Sequence, residues 1–385
     1  MKRSIVQIFA GVSILFSSEL AFSQSTGQTI NVVTTAVPFL RISPDARAGG
    51  MGDLGVATSP DANAQFYNVA KYAFATQPSG IGVTYTPWLK DLGLNDVYLA
   101  SLAGYYQLDE DQAISGSLRY FSLGNIQFTD NLGNDLNSFR PREFAFDAGY
   151  SRKLSDVLSL GVALRYINSN LAGGQAVNGV SYKAGNAVSG DIGLYYSSIG
   201  EDGSGLNLGL AMTNLGSKIS YTSDATQKDF IPANLGLGAL YTFTSNEVNQ
   251  LSFGLDIHKL MVPTPPALGD SAGLVNYRTK GVVGSWFGSF NDAPGGFAEE
   301  LKEFSFSLGS EFTYDNQFSV RAGYFYENQT KGNRQYFSMG AGFKYSSINM
   351  NLSYLIPSGS GVNRNPLSNT IRFSVLFDLS PVEGY

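Results

Sequence analysis

Two constellations in this chain could do chemistry. Gly50-Met51-Gly52-Asp53-Leu54-Gly55 matches G-x-G-x-x-G, the spacing that lets backbone N–H groups wrap a dinucleotide pyrophosphate. His258, the single histidine, stands two residues from Asp256, and an imidazole beside a carboxylate is half of a general-base pair. Neither reading carries far. A dinucleotide fingerprint needs a strand before it and a βαβ unit around it, and the residues flanking 50–55 offer neither. Close backbone packing in a confined space explains these glycines better. His258 has no G-x-S-x-G elbow to serve, and no further ligands cluster near it for a metal. A lumenal imidazole in a polar network is the simpler expectation. The chain has no cysteine, which removes disulfide, thiolate-metal and cysteine-nucleophile chemistry. The expectation is therefore a protein with no catalytic residue, no metal and no cofactor, and not an enzyme.

The elements around these residues divide the chain in two. Residues 41–74 are dense in glycine and alanine and do not alternate, whereas everything from about Ser79 alternates apolar and polar residues to the C-terminus. Pro44 and Asp45 read as the start of one short helix. Ser59-Pro60-Asp61 reads as an N-cap with proline at the first helical position, which predicts a second helix over Ala62 to Phe74. From Ser79 we count fourteen period-two segments: 79–86, 97–107, 113–122, 143–154, 158–169, 187–199, 205–215, 233–244, 249–260, 304–314, 317–327, 335–345, 347–356 and 369–379.

Parity and loop length say what the segments build. Arg119, Glu143, Asp147, Arg165, Asp191, Asp256, Glu311, Arg321, Lys344 and Arg372 all fall opposite the large apolar residues of their segments. A charge facing lipid at mid-bilayer costs ~2–4 kcal/mol, so a membrane barrel must turn its charges into the lumen. Connections alternate between long (87–96, 123–142, 170–186, 216–232, 261–303, 328–334, 357–368) and short. Bacterial barrels pair long extracellular loops with short periplasmic turns and use an even strand number. Charged residues make up only 15% and aromatics 13% of the chain, as suits a wall in which every second residue meets lipid. The fold expected is all-β: a 14-stranded antiparallel outer-membrane barrel over 79–385, behind an N-terminal plug or cap, 24–78, that contains short helices.

The first residues read as a secretory signal. Lys2 and Arg3 precede an apolar run from Ile5 to Phe16, and Ala21-Phe22-Ser23 predicts cleavage before Gln24, making 1–23 the signal peptide. Its loss takes two basic residues from 25 and one acidic residue, Glu19, from 31, leaving 23 against 30, a net −7. That balance argues against nucleic acid as a partner. The 261–303 loop is the oddest connection. It opens with Met261, Val262, Pro263, Pro265 and Pro266, then carries Trp286, Phe287, Phe290 and Phe297 among glycines. Long loops with aromatics fold over a barrel mouth or bind a partner, so these four are the candidate partner-binding residues, with Trp286, Phe287 and Phe290 foremost.

The run Pro44-Asp45-Ala46-Arg47-Ala48-Gly49-Gly50-Met51-Gly52, then Gly55-Val56-Ala57-Thr58, Pro60-Asp61-Ala62 and Asn68, resembles the PorV family of type IX secretion barrels. That family falls within the larger FadL-like group of outer-membrane transporters. The plug motif so marked is Arg47, Gly50, Met51, Gly52, Asp61 and Asn68. FadL-type chains carry Asn-Pro-Ala where this one has Asn68-Val69-Ala70. The resemblance implies a carrier in the outer membrane, among its lipid and lipopolysaccharide. It implies binding of cargo C-terminal sorting domains at a giant translocon barrel, SprA or Sov, and delivery to a PorU-containing attachment complex. The alternative it leaves open is a FadL-like transporter of hydrophobic small molecules. A lipopolysaccharide deacylase is a third reading and would require His258.

Overall fold

The structure is a computed structural model that describes residues 31–90, 93–129, 133, 135–174, 176–177, 180–224, 228–245, 248–266, 269–357 and 370–379. The signal-peptide reading over 1–23 lies outside the described residues.

The alternating segments form a closed antiparallel barrel of fourteen strands. In chain order these are β1 (Ser79–Pro87), β2 (Val97–Gln107), β3 (Gln112–Leu123), β6 (Arg142–Ser155), β7 (Leu158–Asn170), β10 (Gly185–Ile199), β11 (Gly205–Gly216), β12 (Asn234–Ser245), β13 (Asn249–Leu260), β14 (Phe304–Tyr314), β15 (Phe318–Tyr326), β16 (Gln335–Tyr345), β17 (Ile348–Pro357) and β18 (Ile371–Leu379). The missing numbers belong to two small hairpins in the long loops, β4 (Ile126–Thr129) with β5 (Asp135–Phe139) and β8 (Ala176–Val177) with β9 (Val180–Ser181). Every barrel strand pairs with its neighbour in sequence. The ring closes where β1 meets β18, from Ser79 opposite Leu379 to Tyr85 opposite Phe373. Closure leaves no unpaired edge, which is what a sheet in hydrocarbon requires.

Period two sorts the side chains. On β1, Ile81, Val83 and Tyr85 point outward while Thr84 and Thr86 are buried. The same outward row runs through Leu102, Leu118, Phe146, Leu164, Val188, Phe253, Leu308, Val320, Met339, Leu352 and Phe373. These large apolar side chains are exposed because their partner is lipid. Of the ten charges placed on the inward parity, nine are buried. The tenth, Lys344, is half-buried and pairs with Asp378 at 2.7 Å.

One expectation about the non-strand segments needs correction. Ser59 does not cap a helix over 62–74. The chain instead makes two 3₁₀ turns, Ala64–Phe66 and Val69–Phe74, and the second is capped by Asn68, whose Oδ1 accepts from Ala70 N at 3.1 Å. Asp61 and Ser59 are engaged by Arg47 instead. The long loop after β13 is also largely helical, with α2 (Ser271–Thr279), α3 (Val282–Gly288) and α4 (Phe297–Glu300). α1 (Ala46–Gly50) is the short helix at Pro44-Asp45: the Asp45 carboxylate accepts from Arg47 N and Ala48 N at 3.2 and 3.0 Å, an N-cap.

Candidate functional site: the lumen and the helical loop

Residues 31–75 lie against the inward faces of the barrel strands. What admits them is missing side-chain volume. A Cβ on Gly323 would fall 2.1 Å from Met51 C, one on Gly209 2.3 Å from Val56 O, one on Gly161 2.5 Å from Ala70 N, and one on Gly193 2.1 Å from Asn68 Oδ1. The wall is thus recessed along the path of the segment. From the other side, Gly50 presses its Cα against Gly340, where a Cβ would come within 2.9 Å. The chain then reverses through Gly52 at φ 71° and Asp53 at φ 66°. Glycine at 52 is required twice over, by its left-handed backbone and by the Tyr324 backbone 2.7 Å from any added Cβ. This is the close-approach role of the G-x-G-x-x-G stretch. No strand leads into it, as a dinucleotide fingerprint needs.

Polar contacts fix the segment in register. Arg47, on α1, reaches across the lumen to Glu311 on β14, with Nε to Oε2 at 3.1 Å and Nη2 to Oε1 at 2.8 Å. It also binds Asp61 at 3.0 Å and Ser59 Oγ at 2.7 Å. Arg321 on β15 supports the same Glu311 at 2.5 Å and holds Asn351 at 2.9 Å. The Asp256 carboxylate on β13 accepts from Gly55 N and Val56 N at 2.7 and 2.9 Å. Asn68 donates to Leu194 O at 2.9 Å and Val56 O at 3.2 Å. Met51, Leu54 and Ala57 share a small apolar cluster with Leu240. So the six motif residues do not converge on one point: Arg47, Gly50, Met51 and Gly52 engage β14–β16, Asp61 braces Arg47, and Asn68 engages β10.

Several partners escaped sequence reasoning. Asp53 is bound by Arg372 and by Tyr336 Oη, the latter at 2.5 Å. Lys71, fully buried, donates to Gly55 O and Thr58 Oγ1, both at 2.9 Å. Arg372 carried an inward-charge signal in its parity. Lys71 carried none, because an irregular segment has no period from which to read burial.

His258 lines a cavity of about 120 Å³ between this segment and the wall. Its Nδ1 is 3.2 Å from Asn234 Nδ2, and its Nε2 is 3.9 Å from Asp256 Oδ2. That separation is too long for a hydrogen bond, so Asp256 does not orient the imidazole. No serine among the described residues is hydrogen-bonded to His258. The arrangement is that of a polar network.

The loop after β13 is anchored by ions and aromatics. Lys259 pairs with Glu300 and Glu303, each at 2.7 Å, and Lys331 pairs with Glu303 at 2.9 Å and Glu299 at 2.6 Å. Trp286 and Phe290 pack against a cluster of Val33, Phe230, Ala233, Met261, Val262 and Tyr277. Phe287 and Phe297 do not: they stay 67% and 74% exposed. The four aromatics expected to act together therefore split into two anchors and two displayed rings. Val275 and Val283 are also exposed on this loop.

Comparison with known proteins decides the family. The family model described as Type IX secretion system protein PorV matches residues 24–267, well over half of the chain. The chain belongs to the PorV family. It is thereby an outer-membrane component of type IX secretion and not an enzyme. No curated protein matches it. Among solved structures, the toluene transporter TbuX of Ralstonia pickettii superposes with a TM-score of 0.52 at 13% identity, covering 87% of this chain and 97% of that one. The toluene transporter TodX of P. putida gives 0.51 at 14% identity, covering 86% and 98%. At such identity the likeness speaks for the fold alone.

Proposed function

We propose that the barrel is a membrane-anchored carrier that receives cargo C-terminal sorting domains at the SprA/Sov translocon and passes them to the PorU-containing attachment complex. In this reading 24–78 is the plug, 79–385 is the barrel, and outer-membrane lipid and lipopolysaccharide surround it. The observation that carries the proposal is the pair Phe287 and Phe297, held out on a helical loop that Trp286, Phe290 and the lysine–glutamate pairs anchor to the rim. Exposed aromatics on a supported scaffold are what an interface uses, because a few buried rings carry most of the energy of association. Docking would cover surface that otherwise costs hydration.

The plug speaks against the alternative, passage of hydrophobic small molecules. Backbone and ion pairs lie across the path, and the cavity between plug and wall includes three arginines, Arg41, Arg119 and Arg334, in its lining. The test is a gentle-detergent pull-down of the tagged protein with identification of what accompanies it. Recovery of a very large barrel together with secreted proteins sharing a C-terminal domain is expected, and Phe287→Ala with Phe297→Ala should abolish it while the barrel still assembles. Recovery of the barrel alone with bound hydrocarbons would replace this reading with the transporter.

A further inference from the structure

The cavity between the plug and the wall has a chemistry of its own. Its lining carries Arg41, Arg119 and Arg334 beside His258, and Asp53 is its one carboxylate. Asp53 is already taken by Arg372 and Tyr336. A single carboxylate, Glu327, serves both Arg41 at 3.2 Å and Arg334 at 2.8 and 3.0 Å. Arg119 is the least satisfied. It is 3% exposed. Its Nη1 donates to Leu40 O at 3.0 Å, and its guanidinium lies 4.8 Å from the Phe66 ring centroid. Its Nε is buried and has no hydrogen-bond partner among the described residues, and neither has Ser307 Oγ in the same lining. The nearby Asp147 and Asp191 are engaged by Arg165, which offsets charge at a distance but gives Arg119 no acceptor.

We propose that this cavity binds a small oxyanion, of carboxylate or phosphate type, with Arg119 and Ser307 as donors. A buried guanidinium short of an acceptor is costly, and planar N–H forks match oxyanions in geometry and charge. The volume, about 120 Å³, is well above the ~10–15 Å³ that admits one water, and so leaves room for an anion with solvent. Water alone would fill the orphaned donor sites without answering the excess of positive charge.

The test uses the full protein purified in detergent. Crystals soaked in selenate should show an anomalous selenium peak within hydrogen-bond distance of Arg119, whereas ordered water with no selenium peak overturns the proposal. In solution, calorimetric titration with inorganic phosphate should show binding that weakens at least tenfold in Arg119→Gln and several-fold in Ser307→Ala. Equal phosphate affinity in wild type and both variants also overturns it. Should Arg119→Gln fail to assemble, Ser307→Ala and the selenate soak still decide. Acetate that competes with phosphate identifies a site for small oxyanions in general, and acetate that does not compete narrows it to the phosphate type.

Discussion

Replacing Arg47 by methionine should release the plug while leaving the barrel standing. Arg47 makes three side-chain hydrogen bonds besides the pair to Glu311, to Asp61, Ser59 Oγ and Ser59 O, and its removal strips two partly buried carboxylates at once. Glu311 keeps only Arg321, and Asp61 keeps only the N–H of Asn63. Breaking a buried ion pair by deleting one partner costs ~3–5 kcal/mol, because the other charge stays buried. At ~1.4 kcal/mol per tenfold, the population of the displaced plug should rise by about two to nearly four orders of magnitude. The barrel's own ladder is untouched, since no strand pairing involves Arg47. The chain contains no cysteine, so a single Ala64→Cys substitution reports opening directly. Ala64 is wholly buried under Tyr72 and Tyr105, and its thiol reacts with maleimide only when the plug moves. When reclosing outpaces labelling, the labelling rate follows the open population. The expected result is at least a hundredfold faster labelling in Arg47→Met with an unchanged heat-modifiable barrel band in gel electrophoresis. A rate within threefold of the parent would refute the assignment of Arg47 as the tie between plug and wall.

Three further outcomes follow from the same contacts. Gly323→Ala should speed labelling of the Ala64→Cys probe by about fivefold to a hundredfold, as expected for overpacking of ~1–3 kcal/mol, because the new methyl meets the Met51 backbone. No change would mean that the plug is not seated on β15. Leu164→Arg, at an outward position 75% exposed, should destabilise the barrel in bilayers by up to ~2–4 kcal/mol if it sits at mid-membrane, read as a lower urea midpoint in vesicles. An unchanged midpoint would contradict a lipid-facing β7. Burial raises the Glu327 carboxyl, but Arg334 and Arg41 outweigh that and hold it below the ordinary 4.5. A carboxylate lowered in the folded state contributes stability that is present above its unfolded pKa and lost as pH falls through the folded one. Hydrogen-exchange protection around Arg41, corrected for intrinsic rates, should therefore be full at neutral pH and fall below about pH 4.5. Glu327→Gln should lack this acid transition, and its persistence in the variant would assign the transition to another group.

The wall was legible in the sequence almost strand by strand. A β-strand shows its two faces at every second residue, so Phe144, Phe146, Ala148 and Tyr150 against Glu143, Asp147 and Gly149 already separate lipid from lumen. The alternation of long and short connections added the antiparallel order. Both are local signals, and lipid enforces them because an outward charge or an unpaired backbone group is too costly to keep. The lumen and the loops followed another rule. Arg47 meets Glu311 across 264 residues, and Gly193 is recessed for Asn68 across 125, contacts that no local period encodes. Glycines at 281, 284 and 288 masked α3 from propensity, and only packing on the cluster around Tyr277 separated Trp286 and Phe290, turned in, from Phe287 and Phe297, turned out. The sequence by itself determined a charged-inside, apolar-outside cylinder of fourteen strands, since each residue's own parity answers to the solvent it faces. The tertiary structure alone decided which glycine receives which plug residue, which lumenal arginine keeps an Nε with no partner among the described residues and which aromatic ring is displayed, because those depend on where distant segments meet once the cylinder has closed.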